Sequence, residues 1–137
     1  MELTQEQCLM ITQKSIAIMQ NWGMSEQDIV KISGLEGIVK ARHMERYKKD
    51  EAFPNKNSVY VYLEHILGID EALATTYPRS NQMARMWINR PHRRFAKQTP
   101  KAFMLAEGQK ALVALRMDLD CAFAWERTTH NLNKQSK

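Results

Sequence analysis

The apolar residues of this chain recur three and four residues apart, the spacing that places them on one face of an α-helix. The pattern is clearest near the C-terminus, where Leu112, Leu115 and Leu119 follow one another at these intervals. Five glycines and four prolines fall between the periodic segments. Alternation of apolar and polar residues, the pattern of a β-strand, is nearly absent. These features predict an all-α fold.

Residues that cap helix N-termini mark where the helices are expected to begin. In two places a second residue can complete a capping box, Gln7 after Thr4 and Asp28 after Ser25. Pro100 stands at a first helical position, where its missing N–H is tolerated. Caps of this kind predict helices directly after Thr4, Ser25, Ser58, Ser80 and Thr99.

A basic segment follows the second predicted helix, which is expected to stop at Gly34. We expect a third helix over residues 37–49 and a fourth that ends at Gly68, before a short segment opened by Asp70. A short helix, a glycine turn and a basic helix form the outline of a helix-turn-helix. In the major groove of DNA, arginine and lysine contact phosphates and guanine edges. The candidate DNA-binding residues are Lys40, Arg42, His43, Arg46, Lys48 and Lys49.

The same segment also fits a solvated helix face, because Glu36, Glu45 and Asp50 reduce its net charge. A second basic stretch, residues 79–101, contains seven arginine and lysine residues and no acidic residue. That stretch fits a nucleic acid, an acidic protein partner, or a folded connection whose charges point to solvent. The sequence leaves these interpretations open.

Signals of an enzyme or a metal site are absent from the sequence. Cys8 and Cys121 have no partner at metal or redox spacing, which favours a reducing compartment. The four histidines lie more than twenty residues apart, so we expect no metal site. Neither a phosphate-binding glycine loop nor a nucleophile elbow occurs, and we expect no catalysis and no cofactor.

The cellular location is predicted from two further features. The N-terminus lacks a basic segment ahead of an apolar core, so it does not resemble a secretory signal. No apolar run approaches the ~18 residues that a membrane-spanning helix needs. We therefore expect a cytoplasmic protein that does not associate with membranes.

An ordered set of motifs spans the chain from about residue 22 to residue 120. The second half contains, in order, Ile66-Leu67-Gly68-Ile69, Leu73, Tyr77-Pro78, Trp87-Ile88-Asn89-Arg90-Pro91, Phe95, Thr99-Pro100, Gly108 and the segment from Leu112 to Asp120. The first half contains Trp22-Gly23-Met24-Ser25, Ile32-Ser33-Gly34 and Tyr47-Lys48. This order resembles the Xre/MbcA/ParS antitoxin family, whose N-terminal half is an Xre-like helix-turn-helix.

The chain departs from that family's pattern in a few places. His92 follows Pro91 where the family favours asparagine, and Tyr62 stands where arginine is usual. Ala96 and Lys97 replace a pair of glycines. Because glycine adopts backbone angles that other residues resist, the last change bears on the loop geometry.

The resemblance implies a two-part, non-enzymatic protein. Residues 1–76 would form an Xre-like helix-turn-helix domain that binds operator DNA and represses its own operon. Residues 77–137 would form a small helical toxin-binding domain with a polar tail. The implied partner is a RES-domain toxin that consumes NAD, bound by an antitoxin homodimer within a larger complex. The implied toxin-binding residues are Arg116, Asp120, Trp125, Glu126 and Arg127.

Two other functions stay open at this point. One is a stand-alone helix-turn-helix regulator without a toxin partner, which would use the basic third helix as its working surface. The other is a toxin-binding protein whose helix-turn-helix serves only for dimerisation. A toxin-sized reading frame beside the gene favours the antitoxin, and its absence favours the regulator.

Overall fold

The structure, a computed structural model, describes residues 3–121. Regular structure in these residues is entirely helical, which confirms the predicted all-α fold. The α-helices are α1 (Gln5–Asn21), α2 (Glu26–Ile32), α3 (Met44–Lys49), α4 (Asn57–Thr76), α5 (Asn81–Ile88), α6 (Pro100–Glu107) and α7, which begins at residue 109 and includes residue 121. One 3-10 turn, Ala41–His43, precedes α3 and another, Arg93–Phe95, follows α5. No helix within residues 3–121 combines the length and apolar character needed to cross a membrane.

Most of the predicted helix starts are confirmed by hydrogen bonds. The N–H of Gln7 donates to Thr4 Oγ1 at 3.1 Å, while the N–H of Thr4 donates to Gln7 Oε1 at 2.9 Å. Side chains also cap α2, α5 and α6, and these caps are Ser25, Ser80 and Thr99. The prediction at Ser58 is wrong, because α4 begins at Asn57, two residues earlier than expected, and its N-cap, Lys56, makes no side-chain hydrogen bond.

Helix α4 continues without a break through Gly68 and Asp70, so the predicted helix end and the separate fifth segment are wrong. Ile66, Ile69 and Leu73 keep helical spacing across the glycine, and all three are fully buried. Their packing outweighs the ~1 kcal/mol that a glycine costs inside a helix.

The predicted third helix is wrong in its first half. Gly37 has a φ of +78°, and the N–H groups of Ile38 and Val39 both donate to the carbonyl of Leu35. Leu35 and Val39 are buried, so the core holds this turn in place and α3 begins only at Met44. The link between α2 and α3 spans residues 33–43, longer than the turn of a helix-turn-helix. That arrangement therefore stays a prediction.

Buried apolar residues from both predicted domains form one cluster. Helix α1 packs against α3 and α4, α2 packs against α6, and α5 packs against α4 and α6. The side-chain amide of Asn89 donates to the carbonyl of Trp22 at 2.8 Å, and Lys101 donates to the carbonyl of Gly23 at 3.2 Å. The division at residue 76 stays a prediction, and residues on its two sides are in direct contact.

Candidate functional site

Helices α4 and α7 approach each other closely at Gly68. The guanidinium of Arg116 lies against this glycine, so that a Cβ placed at position 68 would be 2.5 Å from Arg116 Cζ and 3.0 Å from its Cδ. Real Cβ atoms do not approach neighbours so closely, and any larger residue at position 68 would displace Arg116. Gly68 thus serves a helix contact, rather than the helix end predicted from the sequence.

Arg116 is also held by a histidine on α4. Its Nη1 lies 3.4 Å from Nδ1 of His65. Burial of the imidazole lowers the pKa of His65, and the positive charge of Arg116 lowers it further. The ring is therefore neutral at pH 7, and its unprotonated Nδ1 can accept a hydrogen bond from the guanidinium.

A shallow groove of about 300 Å³ lies beside this crossing. Its lining residues come from α4 and α7 and are Gly68, Glu71, Ala72, Thr75, Arg116 and Asp120. The structure thus brings together two of the predicted toxin-binding residues, with Arg116 half-buried and Asp120 exposed. The other three, Trp125, Glu126 and Arg127, lie outside the described residues. The groove offers a guanidinium and carboxylates within reach of one ligand.

An ion pair fastens α7 to the loop after α5. Arg94 Nη2 lies 3.2 Å from Asp118 Oδ2, and the Asp118 side chain is largely shielded from solvent. Asp120, two residues further along the helix, is exposed. The two carboxylates therefore serve different purposes, one in the fold and one at the surface.

The predicted DNA-binding residues fall into two groups. Lys48 belongs to the fold, because its Nζ lies 2.9 Å from Glu45 Oε1 and 3.1 Å from Glu26 Oε1. The hydrogen bond to Glu45 raises the pKa of Lys48 and keeps the ammonium charged. Arg46 pairs with Glu51 at 3.4 Å. These cations are compensated by neighbouring carboxylates, and Lys48 joins α3 to α2.

The remaining candidates in this segment are more accessible. Lys40, Arg42 and Lys49 are exposed, and none forms an ion pair with a carboxylate of residues 3–121. His43 is half-buried; desolvation lowers its pKa, and the charges of Arg46 and others nearby lower it further. The lowered pKa favours the uncharged imidazole in the free protein.

The basic stretch of residues 79–101 contains α5, whose two faces differ sharply. Its buried face, Ala84, Trp87 and Ile88, packs into the core. Its outer face and the end of α1 line a groove of about 680 Å³, which is formed by Asn21, Gly23, Gln82, Arg85, Met86 and Asn89. Arg85 extends across the turn between α1 and α2, where a Cβ on Gly23 would lie 3.4 Å from its Nη2.

The loop after α5 folds around aromatic contacts. The Trp87 and His92 rings lie 4.8 Å apart, and His92 Nε2 is 3.0 Å from the carbonyl of Trp87. Ala96 and Lys97 have φ angles of +54° and +64°, the left-handed conformation that glycine adopts most easily. The antitoxin family that the chain resembles has glycines at these two positions. Here they carry larger residues, which are strained in this conformation.

No protein-family model matches the chain, and no curated protein is similar enough to it to count as a match. The resemblance to the antitoxin family therefore rests on the motifs. Sequence reasoning missed the contact of Gly68 with Arg116, and it missed His65 altogether. One signal was present for the glycine, since the apolar spacing continues through it from Ile66 to Leu73.

Proposed function

We propose that this protein is the antitoxin of a type II toxin–antitoxin system, which binds and neutralises a RES-domain toxin that consumes NAD. The observation that supports the proposal is the contact between the side chain of Arg116 and Gly68. These residues belong to the first and the last motif of the resemblance in the second half of the chain. The two motifs meet in space, and a Cβ at position 68 would have to displace the guanidinium of Arg116.

The groove between α4 and α7 is the toxin-binding surface in this proposal. Arg116 is held by Gly68 and His65 in the free protein, so it loses little side-chain freedom when a partner binds. Arginine in such a position is typical of the few residues that supply most of the binding energy of an interface. Asp120, exposed at the edge of the groove, adds a polar contact of opposite charge.

Repression of its own operon is the second part of the proposal. The exposed cations Lys40, Arg42 and Lys49 would contact operator DNA, and the homodimer would place two copies of them on two half-sites. This part is independent of the toxin groove, because the two surfaces are formed by different helices. A protein that kept only this part would be the stand-alone regulator.

Co-expression with the neighbouring gene tests the toxin-binding part. We expect growth rescue and co-purification of the two proteins. Arg116→Ala should weaken toxin binding by ~30-fold, which corresponds to about 2 kcal/mol for a dominant interface residue. Lys110→Ala, at an exposed position near the start of α7, is the matched control and should bind as the unaltered protein does.

Full protection of cells by Arg116→Ala combined with Asp120→Ala would contradict the assignment of the groove. A melting curve of each variant shows whether the fold is retained. Failure to neutralise any neighbouring gene product, together with a specific shift of the promoter fragment, would favour the stand-alone regulator.

A further inference from the structure

The positive charge of this protein is concentrated in one part of the chain. Residues 72–106 contain seven of the twenty arginine and lysine residues and no aspartate or glutamate. The rest of the chain has thirteen basic and fifteen acidic residues, so its formal charge is slightly negative. The net charge of +5 therefore originates in the segment around α5 and α6.

Two of these seven cations are used within the fold. Arg94 pairs with Asp118 at 3.2 Å, and Lys101 lies 3.7 Å from Asp28. The others are exposed and form no ion pair with any carboxylate of residues 3–121; they are Arg79, Arg85, Arg90, Arg93 and Lys97. We call these five the α5 cations. Four of the five are arginines, whose planar guanidinium groups match phosphate oxygens in pairs.

The α5 cations are distributed over one short helix and the residues on its two sides. Arg79 precedes α5, Arg85 lies on its outer face, and Arg90 follows its C-terminal end. Arg93 and Lys97 lie in the loop that follows. Two backbone hydrogen bonds close this loop: the N–H of His92 donates to the carbonyl of Gln98 at 3.1 Å, and the N–H of Lys97 donates to the carbonyl of His92 at 3.0 Å. An eight-residue helix is about 12 Å long, a distance over which the two strands of a DNA duplex carry about seven phosphate charges.

Backbone strain is concentrated at the same place. Arg79, Ala96 and Lys97 are the residues other than glycine with positive φ within residues 3–121, and they lie on the two sides of α5. Glycine would relieve each of these conformations. Arg79 and Lys97 are cations at positions where glycine would be unstrained. Residues held in strained backbone conformations are common at functional sites.

We infer that α5 and the residues on its two sides bind the phosphate backbone of duplex DNA without regard to base sequence. The inference deepens the DNA-binding part of the proposed function. The α5 cations bind phosphates of any sequence by electrostatic attraction, whereas the segment before and within α3 would contact the operator sequence. Carboxamides of Gln82 and Asn21 lie in the groove beside Arg85, and such groups also contact DNA phosphates and sugars. Duplex DNA, with its closely spaced phosphates, is a polyanion that five exposed cations without ion pairs fit.

The salt dependence of binding to a 30-base-pair duplex of arbitrary sequence tests the inference. With five phosphates neutralised, the logarithm of the binding constant should fall with the logarithm of salt with a slope of about −4.5. Affinity should then drop by ~500-fold between 50 and 200 mM salt. For the double variant Arg85→Ala with Arg90→Ala, the slope should be about −2.7 and the drop only ~40-fold.

Two control variants accompany this measurement. Lys56→Ala with Lys110→Ala removes the same charge from exposed positions outside both basic stretches and should leave the slope unchanged. Met83→Ala removes an exposed apolar side chain of α5 that does not line the groove, and it should also leave DNA affinity unchanged. Equal slopes for the unaltered protein and the Arg85/Arg90 variant would overturn the inference.

The same variants separate failure of this inference from failure of the proposed function. Loss of duplex binding in Arg42→Ala with Lys49→Ala, but not in the Arg85/Arg90 variant, would overturn the α5 surface and leave operator binding by α3 intact. Loss of toxin co-purification in the Arg85/Arg90 and Met83→Ala variants, with duplex binding unchanged, would make the surface a site for an acidic protein. Toxin neutralisation itself is measured separately with Arg116→Ala.

Discussion

Residues 36–51 and residues 79–101 are both rich in lysine and arginine, yet only the first stretch also contains acidic residues. The first stretch has five basic and four acidic residues, and its lysine at position 48 contacts two glutamates. The second has seven basic residues and no acidic one, and only Arg94 and Lys101 are paired within residues 3–121. Two cations are paired in each stretch, which leaves three unpaired in the first and five unpaired in the second, where no acidic neighbour in sequence offsets them.

The number of basic residues in a segment is therefore a poor guide to its affinity for a polyanion. What matters is how many cations are left after neighbouring carboxylates have been counted, because a compensated lysine releases few counterions from DNA. The outline of a helix-turn-helix drew attention to α3. Three cations in and before α3, Lys40, Arg42 and Lys49, form no ion pair within residues 3–121, whereas five around α5 form none.

The largest expected change in stability comes from replacing Trp87, the buried tryptophan of α5. Trp87 is 7% exposed and contacts His92 and Phe95, so it holds both the helix and the loop that carry the basic groups. Trp87→Ala should lower the free energy of unfolding by roughly 3–5 kcal/mol, measured by urea denaturation. Trp87→Phe should cost less, because it retains an aromatic ring. A stability unchanged by the alanine variant would show that α5 is not held by the core.

Smaller changes in the free energy of unfolding are expected from substitutions at two positions with a positive φ, one in each stretch. Ala96→Gly should raise the free energy of unfolding by about 1 kcal/mol, because glycine adopts a positive φ without strain. Gly37→Ala is the mirror experiment in the first stretch: its φ is +78° and a Cβ there would meet no atom within 4 Å. It should lower stability by a similar amount, about 1 kcal/mol. Thermal unfolding of both variants checks the pair, and effects of the same sign would contradict the comparison.

The compensated lysine should contribute to stability and not to DNA binding. Lys48→Ala removes two ion pairs whose glutamates are largely exposed, so we expect a loss of only about 0.5 kcal/mol, which should shrink in 1 M salt. Lys49→Ala, at the exposed neighbouring position, should leave stability within about 0.5 kcal/mol of that of the unaltered protein and show no such salt dependence. A clear loss of DNA affinity in Lys48→Ala would mean that its ion pairs open when DNA binds.

The smallest effect is a change in the titration of His43, which can be followed by NMR. Desolvation and the nearby charge of Arg46 lower the pKa of this histidine in the free protein. Phosphates placed against α3 would stabilise the protonated ring and raise that pKa. A duplex of arbitrary sequence, held at α5, should leave the pKa unchanged, and an operator fragment should raise it. A rise with both duplexes would place the non-specific contact at α3 as well.

Local signals in the sequence were enough for much of the fold. Thr4 with Gln7 and Ser25 with Asp28 bond as capping boxes because each cap involves residues only three positions apart. The wrong predictions concern Gly68, where long-range packing outweighs a helix-breaking preference. In the third predicted helix, the burial of Leu35 and Val39 favours a turn over a helix.

By itself, the sequence determined the all-α class, most of the helix starts and the excess of cations around α5, since each depends on spacing, local hydrogen bonds or composition. Tertiary structure decided which charges are compensated. Lys48 meets Glu26 and Arg94 meets Asp118 across more than twenty residues of chain, and Arg116 reaches Gly68 from another helix. Electrostatic energy depends on distance in space, which sequence separation does not reveal until the helices have packed.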